Sequence, residues 1–360
     1  MKVTFGHMGT SAMAFEDLLN NLGHEVIAPV KPSKRTLTLG VQHSPEFACI
    51  PFKIVLGTYL EVADRGLDTI ISGGGRGPCR AGYYGDLHQR ILRTLGYEVD
   101  FIFFYPPLKT PVDFIKKLSR VKGRNSWRTF WHHFRAAWEK LMALDDLERR
   151  AHQVRPREIN RGSTSKALER GLKYLREASE LKSIQEARQE ALKEVEAVPH
   201  VPEREALKVG IIGEIYVQLE PFANFDVEES LGHRGAEVRR SIFLTQYARE
   251  DVFADGCKNI KKLARPYLDF KIGGHGQSSV GEVVHMAQQG YAGVVQLAPF
   301  TCIPEIVAKS IMPRLSRELD IPVFTIFIDE QTGKAGVETR LEAFMDLLWQ
   351  KKGHRDKKVI

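Results

Sequence analysis

Lys2-Val-Thr-Phe-Gly-His-Met-Gly9 reads as a short apolar β-strand, Lys2 to Phe5, that stops at a loop bounded by two glycines. A helix follows from about Ser11 to Leu22 with Gly23 as its stop, and a second strand, Glu25 to Ala28, comes straight after. Outward from this unit the alternation continues with helix Phe52 to Arg65, strand Leu67 to Ile71, helix Tyr83 to Leu95 and strand Val99 to Tyr105. Strands that alternate with helices of about ten to fifteen residues need crossover connections, so they form a parallel sheet, here a Rossmann-like domain over residues 1–110.

The pattern breaks at Pro111 and resumes at Lys208-Val-Gly-Ile-Ile212. From there helix Val227 to Gly232, strand Glu237 to Ile242, helices Asn259 to Ala264 and Val280 to Gln289, strand Gly293 to Leu297, helix Pro304 to Glu318 and strand Pro322 to Ile328 predict a second Rossmann-like domain over 206–350, before a basic tail at 351–360. Between the halves, 111–205 reads as an all-helical insert and linker. Trp127, Trp131, Phe134, Trp138 and Leu141 share one helical face and predict an aromatic stripe packed on the body of the protein or on a second subunit. A second helix is expected from about Thr164 to Val195, and Val198-Pro-His-Val-Pro202 reads as the way out. The fold class is therefore α/β, two parallel-sheet domains around a helical insert.

Composition narrows the function classes. With 43% hydrophobic and 27% charged residues the chain is globular rather than disordered. The first thirty residues carry Glu16 and Asp17 and no basic start before an apolar block, and no apolar run reaches eighteen residues, so a cytoplasmic protein without a membrane span is expected. The net charge of +7 (52 Lys and Arg minus 45 Asp and Glu) concentrates between Lys116 and Arg176 and in the tail. No helix-turn-helix, zinc-finger or RNA-binding signature accompanies it, so no nucleic-acid partner is expected.

Chemistry concentrates at the cysteines. Phe47-Ala-Cys49-Ile-Pro51 and Phe300-Thr-Cys302-Ile-Pro304 put two of the four into one local frame, each with proline in the first turn of a helix. A thiol at a helix N-terminus meets unpaired N–H groups and the positive end of the helix dipole, which favour thiolate. A third, Cys79, lies in the glycine-rich Gly73-Gly-Gly-Arg-Gly-Pro-Cys79-Arg-Ala-Gly82. Loops beyond the carboxyl ends of parallel strands are where such sheets bind ligands, so Cys49, Cys79 and Cys302 are expected to meet between the domains and hold a metal cluster. Three thiolates would leave one iron of a cubane open. One competing reading is three unrelated buried thiols; zinc is another, although structural zinc sites usually show a close Cys-x-x-Cys pair and none exists here. Cys257 reads as a solvent-side thiol or a fourth ligand. Arg80 stands ready to neutralise thiolate charge, Glu214 in Gly213-Glu-Ile-Tyr216 to act as an acid/base group or a helix cap, and His275 in Gly273-Gly-His-Gly276 to donate to substrate or cluster, or to cap the backbone. Asp329-Glu330 and Arg340 read as a structural ion pair.

Taken together, Gly6-His-Met-Gly9, Ser44-Pro-Glu-Phe-Ala-Cys-Ile-Pro-Phe-Lys53, Gly77-Pro-Cys-Arg-Ala-Gly-Tyr83, Gly213-Glu-Ile-Tyr216, Gly273-Gly-His-Gly276, Pro299-Phe-Thr-Cys-Ile-Pro-Glu305, Asp329-Glu-Gln-Thr-Gly333 and Thr339-Arg-Leu-Glu-Ala-Phe344 resemble the acyl-CoA dehydratase activase-related proteins, relatives of the 2-hydroxyacyl-CoA dehydratase and benzoyl-CoA reductase subunits. The resemblance covers both α/β parts and not the insert. It implies Cys49, Cys79 and Cys302 as ligands of a [4Fe-4S] or related larger cluster in the interdomain cleft, and a low-potential electron from an ATP-dependent activator or another donor. It also implies a small-molecule or acyl-CoA substrate and a homo- or heterodimer. The activator's own ATP site is not evident, so no ATP hydrolysis is assigned to this chain. The alternative expectation is a non-catalytic, cluster-carrying accessory or electron-transfer protein.

Overall fold

The computed structural model of the chain describes residues 1–74, 79–105, 111–249 and 258–358. Two four-stranded sheets, each parallel throughout, carry the α/β parts. In the first, β1 (Lys2–Phe5), β2 (Glu25–Val26), β3 (Thr69–Gly73) and β4 (Asp100–Phe104) lie in the order β2-β1-β3-β4. In the second, β5 (Leu207–Gly213), β6 (Ala236–Arg240), β7 (Gly293–Pro299) and β8 (Val323–Ile328) lie in the equivalent order β6-β5-β7-β8. Helices cover both faces of such sheets, so central strands read as unbroken apolar runs. Strand β7 is buried along its whole length. Its one polar side chain, Gln296, is satisfied by Glu305 (2.8 Å) and by the Thr325 hydroxyl (2.9 Å).

The shared strand order makes the halves comparable station by station. Strands β3 and β7 both occupy the third place, and Cys79 and Cys302 follow them. The helix leading into the third strand starts at Cys49 in the first half and at His275 in the second, where those residues cap helices Ile50–Ala63 and Gly276–Gln288. Cys302 thus repeats Cys49 in local sequence and Cys79 in topology.

Helix Ile50–Ala63 is buried almost all round, with eleven of its fourteen residues withdrawn from solvent, as befits a helix inside a core rather than on a surface. Tyr59 and Val62 pack with the first sheet's core, whereas Ile50 and Ile54 pack with β5, β7 and β8 of the second. Its lysine, Lys53, is also buried; it reaches across the halves to Glu330 (2.9 Å) and donates to the Glu46 carbonyl (3.1 Å). Glu330 therefore does not pair with Arg340 as expected; Arg340 instead donates to the Gly336 carbonyl, because Lys53 offers Glu330 a buried cation. Helix Lys34–His43, which the sequence reading left out, crosses Ile50–Ala63 backbone to backbone: a Cβ on Gly40 would stand 1.8 Å from the Lys53 carbonyl oxygen, and one on Gly57 1.9 Å from that of Thr36.

The insert is built on helix Trp127–Val154, 28 residues long and capped by the Ser126 hydroxyl, which accepts from the Thr129 N–H (3.0 Å). The expected aromatic stripe divides. Trp127 and Trp131 remain 42% and 53% exposed, while Phe130, 1% exposed, turns inward against Val3, Phe5 and Leu19. The buried face runs through Phe130, Ala137, Leu141 and Leu144, so Trp127 and Trp131 lie off it. The helix expected from Thr164 to Val195 is two, Ser163–Glu177 and Leu181–Glu196, interrupted where Ala178 becomes extended and Glu180 caps the next start. Glu148 ties the three parts together by accepting from the Thr10 hydroxyl (2.7 Å) and from the Arg240 guanidinium (2.6 Å). Arg240, buried, also holds Glu228 (3.0 Å). Of the residues read as a tail, 351–358 continue helix Lys334–Lys358. Among the described residues no helix is long and apolar enough to cross a membrane.

Because the Gly57 crossing has no room for a methyl group, Gly57→Ala must push two helix backbones apart. Overpacking of this kind costs about 1–3 kcal/mol, and we expect a matching fall in the urea midpoint at unchanged slope.

Candidate functional site

Cys49 and Cys302 each occupy the N-cap of a helix, Ile50–Ala63 and Ile303–Glu318, with Pro51 and Pro304 in the first turns. Proline fits there because its missing N–H would have had no helical partner. Cys79 precedes the 3-10 turn Arg80–Tyr83 that feeds helix Tyr84–Thr94. Both N-cap thiols are buried and Cys79 is partly so.

Three loops from both halves meet here. The Arg80 guanidinium donates to the Phe47 carbonyl (2.9 Å) and to the Thr301 carbonyl, so one side chain straps the loop before Cys49 to the loop before Cys302. The Thr301 hydroxyl donates to the same Phe47 carbonyl (3.1 Å). Thr301 itself holds a left-handed φ of 68°, uncommon for a β-branched residue and a mark of a backbone fixed by its surroundings. A Cβ on Gly274 would lie 3.7 Å from the Cys79 sulfur and 3.0 Å from Pro304, which brings the Gly273–Gly276 loop into the same junction. The thiols act on one another electrostatically: Cys79 on Cys49, and Cys49 on Cys302.

The electrostatics reverse the expectation that helix N-termini favour thiolate. Burial pushes the Cys49 thiol up to about 11; the Tyr84 hydroxyl opposes the rise, the Glu214 carboxylate adds to it, and the Phe52 amide works weakly against it. Cys302 is raised by burial and then by Glu305 and Glu214, and Cys79 by burial, opposed by the Ala81 amide. A helix end carries about half an elementary charge, whereas full burial shifts a group by up to 3–5 pKa units, so desolvation wins. Glu214 and Glu305 are themselves pushed up by burial, each to about 7. Sulfur and carboxyl groups crowd a junction where, among the described residues, the Arg80 guanidinium is spent largely on carbonyls. Metal ions bound to the sulfurs would hold them as thiolates in spite of burial, so the three thiols suit a metal centre in kind. As placed among the described residues, no group of three or more His, Cys, Asp or Glu could hold a metal ion. Ligands of one zinc sit about 3.8 Å apart for Zn–S bonds of ~2.3 Å, whereas thiolates around a cubane stand roughly 6 to 7 Å apart.

The expected residues other than Cys257 each have a definite place. Glu214 caps helix Ile215–Leu219 through the Val217 N–H (3.0 Å) and at the same time bears on all three thiols. His275 caps helix Gly276–Gln288 by position, with its ring 5.4 Å from that of Tyr247. Arg80 acts chiefly as the loop strap, and its charge is a lesser influence on Cys79. Cys257 lies outside the described residues.

The sequence reading missed two groups. Glu305, fully buried, accepts from the Ser279 hydroxyl (3.0 Å) and the Gln296 amide (2.8 Å) and bears on Cys302. Its signal was its place one turn into the Cys302 helix. Tyr84, whose hydroxyl meets the Cys49 sulfur, carried no signal beyond proximity to Cys79 in the chain. No protein-family model matches this sequence, and a search of curated proteins gives no match.

Between the ordinary glutamate value near 4.5 and about 7, Glu214 and Glu305 keep protons in the folded protein that the unfolded chain has released. The metal-free protein should therefore be most stable below pH 4.5, as far as these two groups are concerned, and lose that contribution as pH rises to 7. Thermal melts across this range should slope less in Glu214→Gln than in the unaltered chain.

Proposed function

We propose that this chain is an iron–sulfur redox protein of the 2-hydroxyacyl-CoA dehydratase type, with Cys49, Cys79 and Cys302 holding a [4Fe-4S] or related larger cluster between the two α/β halves. The observation that carries the reading is the strap: Arg80 and Thr301 fix the Cys49 and Cys302 loops to one another, and Gly274 leaves room beside Cys79. The meeting of three thiols at one junction supports a metal centre there, and the resemblance of the cysteine segments supports its kind. Held by these three cysteines, such a cluster would supply low-potential one-electron chemistry.

The protein's residues do the rest. The helix N-termini at Cys49 and Cys302 and the Arg80 strap hold the sulfurs in place. Glu214 and Glu305, pushed up to about 7 by burial in the metal-free chain, are carboxyls beside the sulfurs suited to hold or release a proton. This supports reductive or dehydratase-type chemistry on a small molecule or an acyl-CoA, in the cytoplasm, with the electron coming from an ATP-dependent activator or another low-potential donor.

One observation favours a second reading. Phe47, Tyr83, Phe300 and Ile303, beside the three cysteines, are all exposed. Apolar side chains at the rim suit a docking face, and a cluster-carrying accessory or electron-transfer protein would need one.

Anaerobic reconstitution with iron and sulfide should give a brown protein with an electron paramagnetic resonance signal after reduction. Alanine at Cys49, Cys79 or Cys302 should abolish that signal, whereas Cys257→Ala should leave it. Iron content unchanged in all three of the first variants would overturn the reading.

A further inference from the structure

We propose that Tyr84 is a positioning residue that tunes the centre's reduction potential by donating a hydrogen bond to the Cys49 sulfur; this rests on the iron–sulfur reading above. Tyr84 is the first residue of helix Tyr84–Thr94, and its hydroxyl meets Cys49 Sγ. A metal-bound sulfur carries no proton, so in that contact the phenol must be the donor. Cys79 and Cys302 are each met by a backbone amide of their own first turn, Ala81 and Glu305.

The ring is held independently of its hydroxyl. It packs edge-on against Phe52, with centroids 5.0 Å apart, and lies 5.9 Å from His88, whose Nε2 is 3.1 Å from the Phe52 carbonyl. Phe52 belongs to the same helix turn as Cys49. Donor and acceptor therefore move as one unit, and removing the hydroxyl alone leaves the packing in place.

A hydrogen bond into a ligating sulfur withdraws electron density and favours the more negative, reduced state, one of the protein's main levers on such potentials. The step it biases is the uptake of one electron from a chemical reductant such as dithionite: the centre gains what the donor loses, no bond is made or broken, and the phenol keeps its proton.

The test is a redox titration followed by electron paramagnetic resonance on the full chain, reconstituted anaerobically with iron and sulfide. Tyr84→Phe should bind as much iron as the unaltered chain, while its ratio of reduced to oxidised centre at a fixed potential falls about tenfold, or ~59 mV for a one-electron couple. Tyr83→Phe, on the exposed neighbour, should leave the ratio unmoved. Incorporating 3-fluorotyrosine at position 84, a stronger donor of nearly the same size, should raise it, and this arm holds even if Tyr84→Phe folds poorly. An unmoved ratio in a folded Tyr84 variant would overturn the role, whether or not less iron is bound, because a merely structural residue changes occupancy and not potential. Iron absent from the unaltered chain as well would overturn the iron–sulfur reading itself, and this role with it.

Discussion

The burial of helix Ile50–Ala63 between two sheets is the constraint on which the rest of the structure depends. An apolar helix with no solvent face must be enclosed, and neither half encloses it alone: Ile50 and Ile54 belong to the second core, Tyr59 and Val62 to the first. Lys53, buried in its first turns, adds a cross-half ion pair that leaves an uncompensated charge if the halves part. The glycines at 40 and 57 let a second helix close over it at backbone contact. Cys49 caps this helix, so packing that holds the halves together also fixes one corner of the site.

The site itself opposes ordinary protein electrostatics. Three thiols and two carboxylates are gathered where burial raises the pKa of every one of them. Helix N-termini soften this without reversing it, and the guanidinium at hand is engaged by carbonyl oxygens. Perturbed groups gathered in this way are common where a protein does chemistry.

The two halves are variations on one plan. Their strand orders match, and the sulfur after the third strand recurs as Cys79 and Cys302. At the helix before that strand the plan diverges, with Cys49 in one half and His275 in the other. The insert does not follow the plan; it acts as a spine, and Glu148 joins it to Thr10 of the first half and to Arg240 of the second.

Periodicity and punctuation in the sequence were enough to determine the α/β class, the helical insert and the helix starts at Cys49 and Cys302, because strand alternation, proline in a first turn and glycine at a helix stop act over a few residues. The same local signals marked Cys79, Arg80, Glu214 and His275 as residues of interest. What they left open was decided by contacts between residues far apart in the chain. Which face of helix Trp127–Val154 turns inward depended on the shape of the first sheet's surface, which accepted Phe130 and left Trp127 and Trp131 outside. Arg80 became a strap between two carbonyls only when residues 47 and 301 met. The protonation balance of the thiols, and the parts of Glu305 and Tyr84, followed from burial and from neighbours in space, and neither is written in local spacing.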